Sequence, residues 1–94
     1  MLEMVKTALR ISGDAYDEEL GLLIDAAKAE MAGLGVIVDT DESGDPTDKQ
    51  VQTAVIAYCK WLFGNNEDAE RWRDIYHTKL AQMKTMTGLT DWSV

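Results

Sequence analysis

A small all-α bundle of four helices, one short and three long, with a long acidic loop between the second and third, is the fold this sequence predicts. Three observations predict it. Apolar residues recur at the i, i+3, i+4, i+7 spacing of a helix in four separate stretches. Residues that cap helices and acids that suit a first turn stand ahead of the later stretches. No internal repeat, low-complexity segment or βαβ pattern competes with the helical reading.

The first element rests on Leu2, Val5 and Leu9, a short amphipathic helix with Arg10 in its last turn and Ser12-Gly13 expected to end it. Asp14 is the expected N-cap of the second helix, followed by Asp17, Glu18 and Glu19, where the helix dipole favours negative charge. Tyr16, Leu20, Leu23, Ile24, Ala27, Met31 and Leu34 mark one stripe of a long helix that stops near Gly33 or Gly35. Residues 36–45 carry neither period nor cap and read as a long loop that opens with an extended Val36-Ile37-Val38.

Thr47 and Gln50 have capping-box spacing, so the third helix is expected to start its first turn near Asp48. In it Val51, Ala54, Val55, Tyr58 and Leu62 form one stripe and Ile56, Cys59 and Phe63 a second beside it. A helix apolar on two faces belongs at the centre of the bundle. Gly64 is expected to close that helix and Asn65 or Asn66 to cap the next, with Glu67, Asp68 and Glu70 in its acidic first turn. Ala69, Trp72, Ile75, Tyr76, Leu80 and Met83 carry the fourth helix toward Thr87-Gly88. Residues 1–88 then make one domain, and residues 89–94 are a tail.

Composition narrows the function classes. At 94 residues, with 46% hydrophobic and 28% charged residues, the chain suits one globular domain. Its net charge of −8 is uneven: residues 1–48 hold twelve acids and three bases, and residues 49–94 five and six, so the halves carry −9 and +1. An acidic surface gives the main electrostatic term of DNA binding the wrong sign, which argues against specific nucleic-acid binding. Neither a secretory signal nor a membrane span is legible, and the single cysteine, Cys59, reads as a buried core thiol in a reducing compartment.

Chemistry-bearing motifs are few. His77 is the only histidine, which excludes a two-histidine metal site, and no nucleophile pairing or phosphate-binding glycine loop is present. Residues 39–50 align with the twelve-residue EF-hand calcium loop, with Asp39, Asp41 and Ser43 at positions 1, 3 and 5, Gly44 at 6 and Asp45 at 7. Gln50 stands at position 12, where an amide replaces the bidentate carboxylate, and residues 36–38 do not read as an incoming helix. A solvated acidic loop ending in a helix cap accounts for the same residues. Six of the aromatics fall on or beside the helical stripes, whereas Trp92 lies beyond Gly88 with Leu89 and Val94. That apolar tail docks either on its own domain or on a partner.

Val5-Lys6-Thr7-Ala8-Leu9-Arg10-Ile11, the acidic turn of residues 14–19, Leu23-Ile24-Asp25-Ala26-Ala27, Ala54-Val55-Ile56-Ala57-Tyr58, the Gly64 corner and Ala69-Glu70-Arg71-Trp72 with Tyr76, Leu80 and Met83 together resemble the phage head-tail connector family. The resemblance implies a helical, non-enzymatic virion protein without a cofactor, made in the bacterial cytoplasm. Such a protein assembles as a ring beneath the portal protein, extends the DNA channel and offers a platform to the next head-completion or tail protein. On that footing Asp39, Asp41, Glu42 and Asp45 are candidates to line the channel, and Leu89, Trp92 and Val94 to anchor a neighbouring subunit or partner. The other reading, from a different class, is a small acidic regulatory or inhibitory protein that mimics nucleic acid or pairs with a basic partner. A small hydrolytic enzyme has no motif to support it.

Overall fold

The computed structural model describes residues 1–63 and 67–85, with side chains to Met83. It has four helices: α1 (Leu2–Leu9), α2 (Asp17–Gly33), α3 (Lys49–Leu62) and α4 (Ala69–Thr85). The all-α expectation holds, with one short and three longer helices and no strand among the described residues. α3 packs against each of the other three.

Its central place follows from the two apolar faces. Val51, Ala54, Val55, Ala57, Tyr58 and Cys59 are all buried on α3, while Ile56 and Phe63 are partly buried against the core. α2 contributes Leu20, Ile24, Ala27 and Met31 from one face, and α4 contributes Tyr76, Leu80 and Met83. Tyr16 and Leu34, at the ends of the α2 stripe, stay exposed.

The ends of the helices depart from expectation in instructive ways. α1 closes at Arg10, not at Ser12-Gly13: Arg10 adopts the left-handed conformation (φ 59°, ψ 40°), and the Ile11 amide donates to the Lys6 carbonyl at 2.9 Å. A non-glycine residue there costs about 1 kcal/mol. The turn it makes brings Ile11 back against the core. Asp14 does not cap α2; its carbonyl accepts from the Asp17 amide at 3.2 Å in a preceding turn, and Tyr16 holds the cap position without a side-chain bond. The helix begins where Lys6 Nζ grips Asp17 Oδ1 at 2.9 Å, an ion pair joining α1 to α2.

At α3 the cap is Asp48, one residue later than the Thr47 of the expected capping box. Asp48 Oδ1 accepts from the Gln50 amide at 2.7 Å and the Val51 amide at 3.3 Å. The amide of Thr47 is drawn to the Asp39 carbonyl at 3.1 Å, and the Gln50 side chain accepts from Lys79 Nζ at 2.9 Å, so neither box partner is available to the other. The expected roles of Gly64, Asn65, Asn66 and Gly88 lie outside the described residues, as does the tail.

Candidate functional site

The loop between α2 and α3 is the first candidate surface, and its backbone is closely held. Gly35 at φ 89° lets the chain leave α2, and Val36 follows, buried, with its amide donating to the Met31 carbonyl at 3.0 Å. Thr40 and Pro46 pair as an isolated antiparallel bridge, and Pro46 is fully buried. Between them the Asp41 amide donates to the Asp45 carbonyl at 2.8 Å, and Gly44 turns the chain at φ 83°.

Of the residues aligned with a calcium loop, Asp41 and Asp45 already have partners. Asp41 Oδ1 accepts from the amides of Ser43 at 2.9 Å and Asp45 at 3.1 Å, which makes it the organiser of its own turn. Asp45 Oδ2 lies 2.7 Å from the amino group of Met1, and Lys28 Nζ donates to the Gly44 carbonyl at 3.1 Å. The loop is thus fastened to α2 by Lys28 and to the start of α1 by Met1. Asp39, Asp41 and Glu42 are exposed on it, while Asp45 is half-buried. No group of three or more His, Cys, Asp or Glu side chains placed to hold a metal ion occurs among the described residues.

Farther along α3 an aromatic cluster joins it to α4. Tyr58 meets Tyr76 edge to face at 5.1 Å and Trp61 at 5.8 Å, and the Trp61 ring lies 5.7 Å from that of His77, which is exposed. Tyr76 is fully buried, yet its hydroxyl reaches out to donate to Glu30 Oε1 of α2 at 2.7 Å. Burial first, then the hydrogen bond to Glu30, drives the Tyr76 pKa upward. Burial pushes the Cys59 thiol up to about 12. These groups stay protonated and serve packing.

Two outward helix faces lie off the apolar stripes that form the core. On the side of α2 opposite its buried residues lie Leu22, Ala26, Ala29 and Gly33, all exposed, with Leu22 at 66%. Glu18, Glu19 and Asp25 stand beside this strip, also exposed. The outward face of α4 is an open groove lined, among the described residues, by Arg71, Asp74, Ile75, Thr78, Lys79 and Gln82. The signal for the first face is present in the sequence, because α2 carries apolar residues off the predicted stripe; a search for one apolar face passes over a second. The tail residues Leu89, Trp92 and Val94 lie outside the described residues.

Three helices packed on a central apolar α3, joined by polar pins, define a small all-α class of protein. The family model for phage connector proteins matches residues 1–90, and the chain belongs to that family. This is a family of structural proteins with a head-tail connector role, which makes the chain a virion component that works with other assembly proteins. No curated protein and no solved structure matches the chain. Among the described residues no helix is long and apolar enough to cross a membrane.

Proposed function

We propose that this protein is a head-completion adaptor that forms a ring beneath the portal, continues the DNA channel and presents a platform to the next head-completion or tail protein. The family match over residues 1–90 carries the reading. The charge layout supports it: a ring needs two different patches on each subunit, and the two halves of the chain differ as −9 and +1. In the ring the fastened loop presents the exposed Asp39, Asp41 and Glu42 to the channel, with Asp45 beside them paired to the Met1 amino group, and the carboxylates repel the DNA phosphates and let DNA slide. Leu89, Trp92 and Val94 anchor the tail to a neighbouring subunit or partner.

Sedimentation and negative-stain imaging with purified portal particles test this reading. Rings or stoichiometric attachment are expected, and a folded chain that never associates, alone or with the portal, overturns it. Truncation after Gly88 in the same assay tests the tail. An anchoring tryptophan contributes about 2 kcal/mol or more to binding. Attachment should therefore weaken while thermal unfolding stays nearly unchanged; a lowered unfolding midpoint with attachment preserved would assign the tail to the fold.

A further inference from the structure

Resting on the ring reading, we propose that the subunit contact is head-to-tail, with the outward face of α2 on one copy seated against the outward face of α4 on the next. Three observations converge on these two faces. α2 leaves an exposed apolar strip of Leu22, Ala26, Ala29 and Gly33, which run along the side of the helix turned away from Leu20, Ile24, Ala27 and Met31. At 1.5 Å per residue the helix is about 25 Å long. Small side chains at the centre of such a strip allow close approach of another helix.

Charge supplies the choice of partner. α2 carries five carboxylates against one lysine, and the acids beside the strip, Glu18, Glu19 and Asp25, are exposed. α4 carries four cationic residues, Arg71, Arg73, Lys79 and Lys84, against Glu70 and Asp74. Its groove places the half-buried Ile75 between Arg71 and Lys79, with Asp74 also on the lining and Lys79 bonded to Gln50 Oε1, so that the exposed positive charge on this face is chiefly that of Arg71. An acidic rim on one face and a basic rim on the other attract, whereas two α2 faces would set carboxylate against carboxylate.

Placement in the fold supplies the geometry. α3 packs against both α2 and α4, and each of those helices turns its buried stripe inward, so each keeps a separate outward face that the fold of the subunit does not use. Two different, complementary surfaces on one subunit form a heterologous contact, which closes into a ring when the rotation between copies allows it. The occupant of the α2 face is therefore a second copy of this chain.

Charge reversal of each face, alone and together, tests the pairing under conditions where the unmodified chain associates, in solution or on portal particles. One variant carries Glu18→Lys with Asp25→Lys on α2, and the other Arg71→Glu with Thr78→Glu on α4. All four positions are exposed, so helicity and thermal unfolding serve as the check that each variant folds. Each variant alone should weaken self-association by about tenfold or more, and the four changes combined in one chain should restore it, because the reversed faces again attract. Loss with one of the two variants and full association with the other would show a contact that does not pair these faces and overturn the proposal. Association that survives both variants, or loss that the combined chain does not repair, overturns the choice of faces. Failure of the unmodified chain to associate at all overturns the ring reading itself.

Discussion

The two sides of α3 are held by different physics. Toward α4 the contact is centred on aromatic rings, with Tyr58, Trp61 and Tyr76 meeting at ring separations of 5.1 to 6.1 Å, together with the buried Leu80 and Met83 and a polar contact from Lys79 Nζ to Gln50 Oε1. Toward α1, α2 and the loop, aliphatic packing is supplemented by polar fastenings: Lys6 to Asp17, Met1 to Asp45, and Lys28 to the Gly44 carbonyl. Packed rings fill volume and tolerate little loss, whereas partly exposed ion pairs contribute about 1 kcal/mol or less each. The aromatic side should therefore set the stability of the domain, and the polar side should set the shape of the loop.

The most damaging substitution should be Tyr76→Ala. The ring is fully buried and touches Tyr58, Trp61 and His77, so its removal leaves a cavity between α3 and α4. A loss of about 3–5 kcal/mol is expected by analogy with other buried aromatic truncations. Denaturant unfolding measures it; a loss below 1 kcal/mol would mean that the aromatic side does not dominate.

High pH should strain both sides at once. Lys6 is raised by its hydrogen bond to Asp17, and Tyr58, Cys59 and Tyr76 chiefly by burial. A group that holds its proton more tightly in the folded state gives stability that is complete below its unfolded pKa and lost as pH climbs toward the folded value. Cys59 sets the lower edge of the window near 9 and fades by about 12, with the tyrosines and Lys6 entering above 10. The unfolding midpoint should hold from pH 7 to about 9 and fall beyond it. Tyr76→Phe with Cys59→Ala should flatten the alkaline fall relative to the parent; an unchanged slope would place its origin elsewhere.

A smaller effect is expected at the cap of α3. Asp48→Ala frees the amides of Gln50 and Val51 and should cost about 1 kcal/mol, whereas Thr47→Ala should cost less. The reverse order would restore the Thr47 box that the spacing suggested.

That contrast marks the limit of what the sequence made legible. Periodicity identified all four helices and the central place of α3, since Val51, Ala54, Val55 and Tyr58 repeat at a spacing that only burial explains. Caps were harder, because Thr47 and Asp48 are both good cap residues and the choice turned on where Thr47's amide went in space. The fastenings were invisible. Glu30 and Tyr76 are 46 residues apart, and no local pattern pairs them. In the loop, the spacing that resembled a calcium site is partly that of a turn organised by Asp41, whose oxygen takes two backbone amides. The outward face of α2 is harder for another reason: Leu22, Ala26 and Ala29 are apolar but lie off the buried stripe, and one apolar face is enough to explain a helix that packs on one side.

The last expectation follows from that point and is the smallest in magnitude. If the outward face of α2 serves assembly only, then Leu22→Ser and Ala29→Ser should change the stability of the monomer by no more than about 0.5 kcal/mol, the usual range for substitutions away from packing. Leu22 is 66% exposed, so little of its side chain leaves water on folding and little is forfeited when it is cut back. Leu20, two residues earlier and turned inward with no exposure, is the internal control: Leu20→Ala should cost about 2–5 kcal/mol. Thermal and denaturant unfolding of dilute samples compare the two positions without interference from association. Equal losses at Leu20 and Leu22 would mean that α2 is packed on both sides within a single subunit, and the distinction between its inward and outward faces would fail.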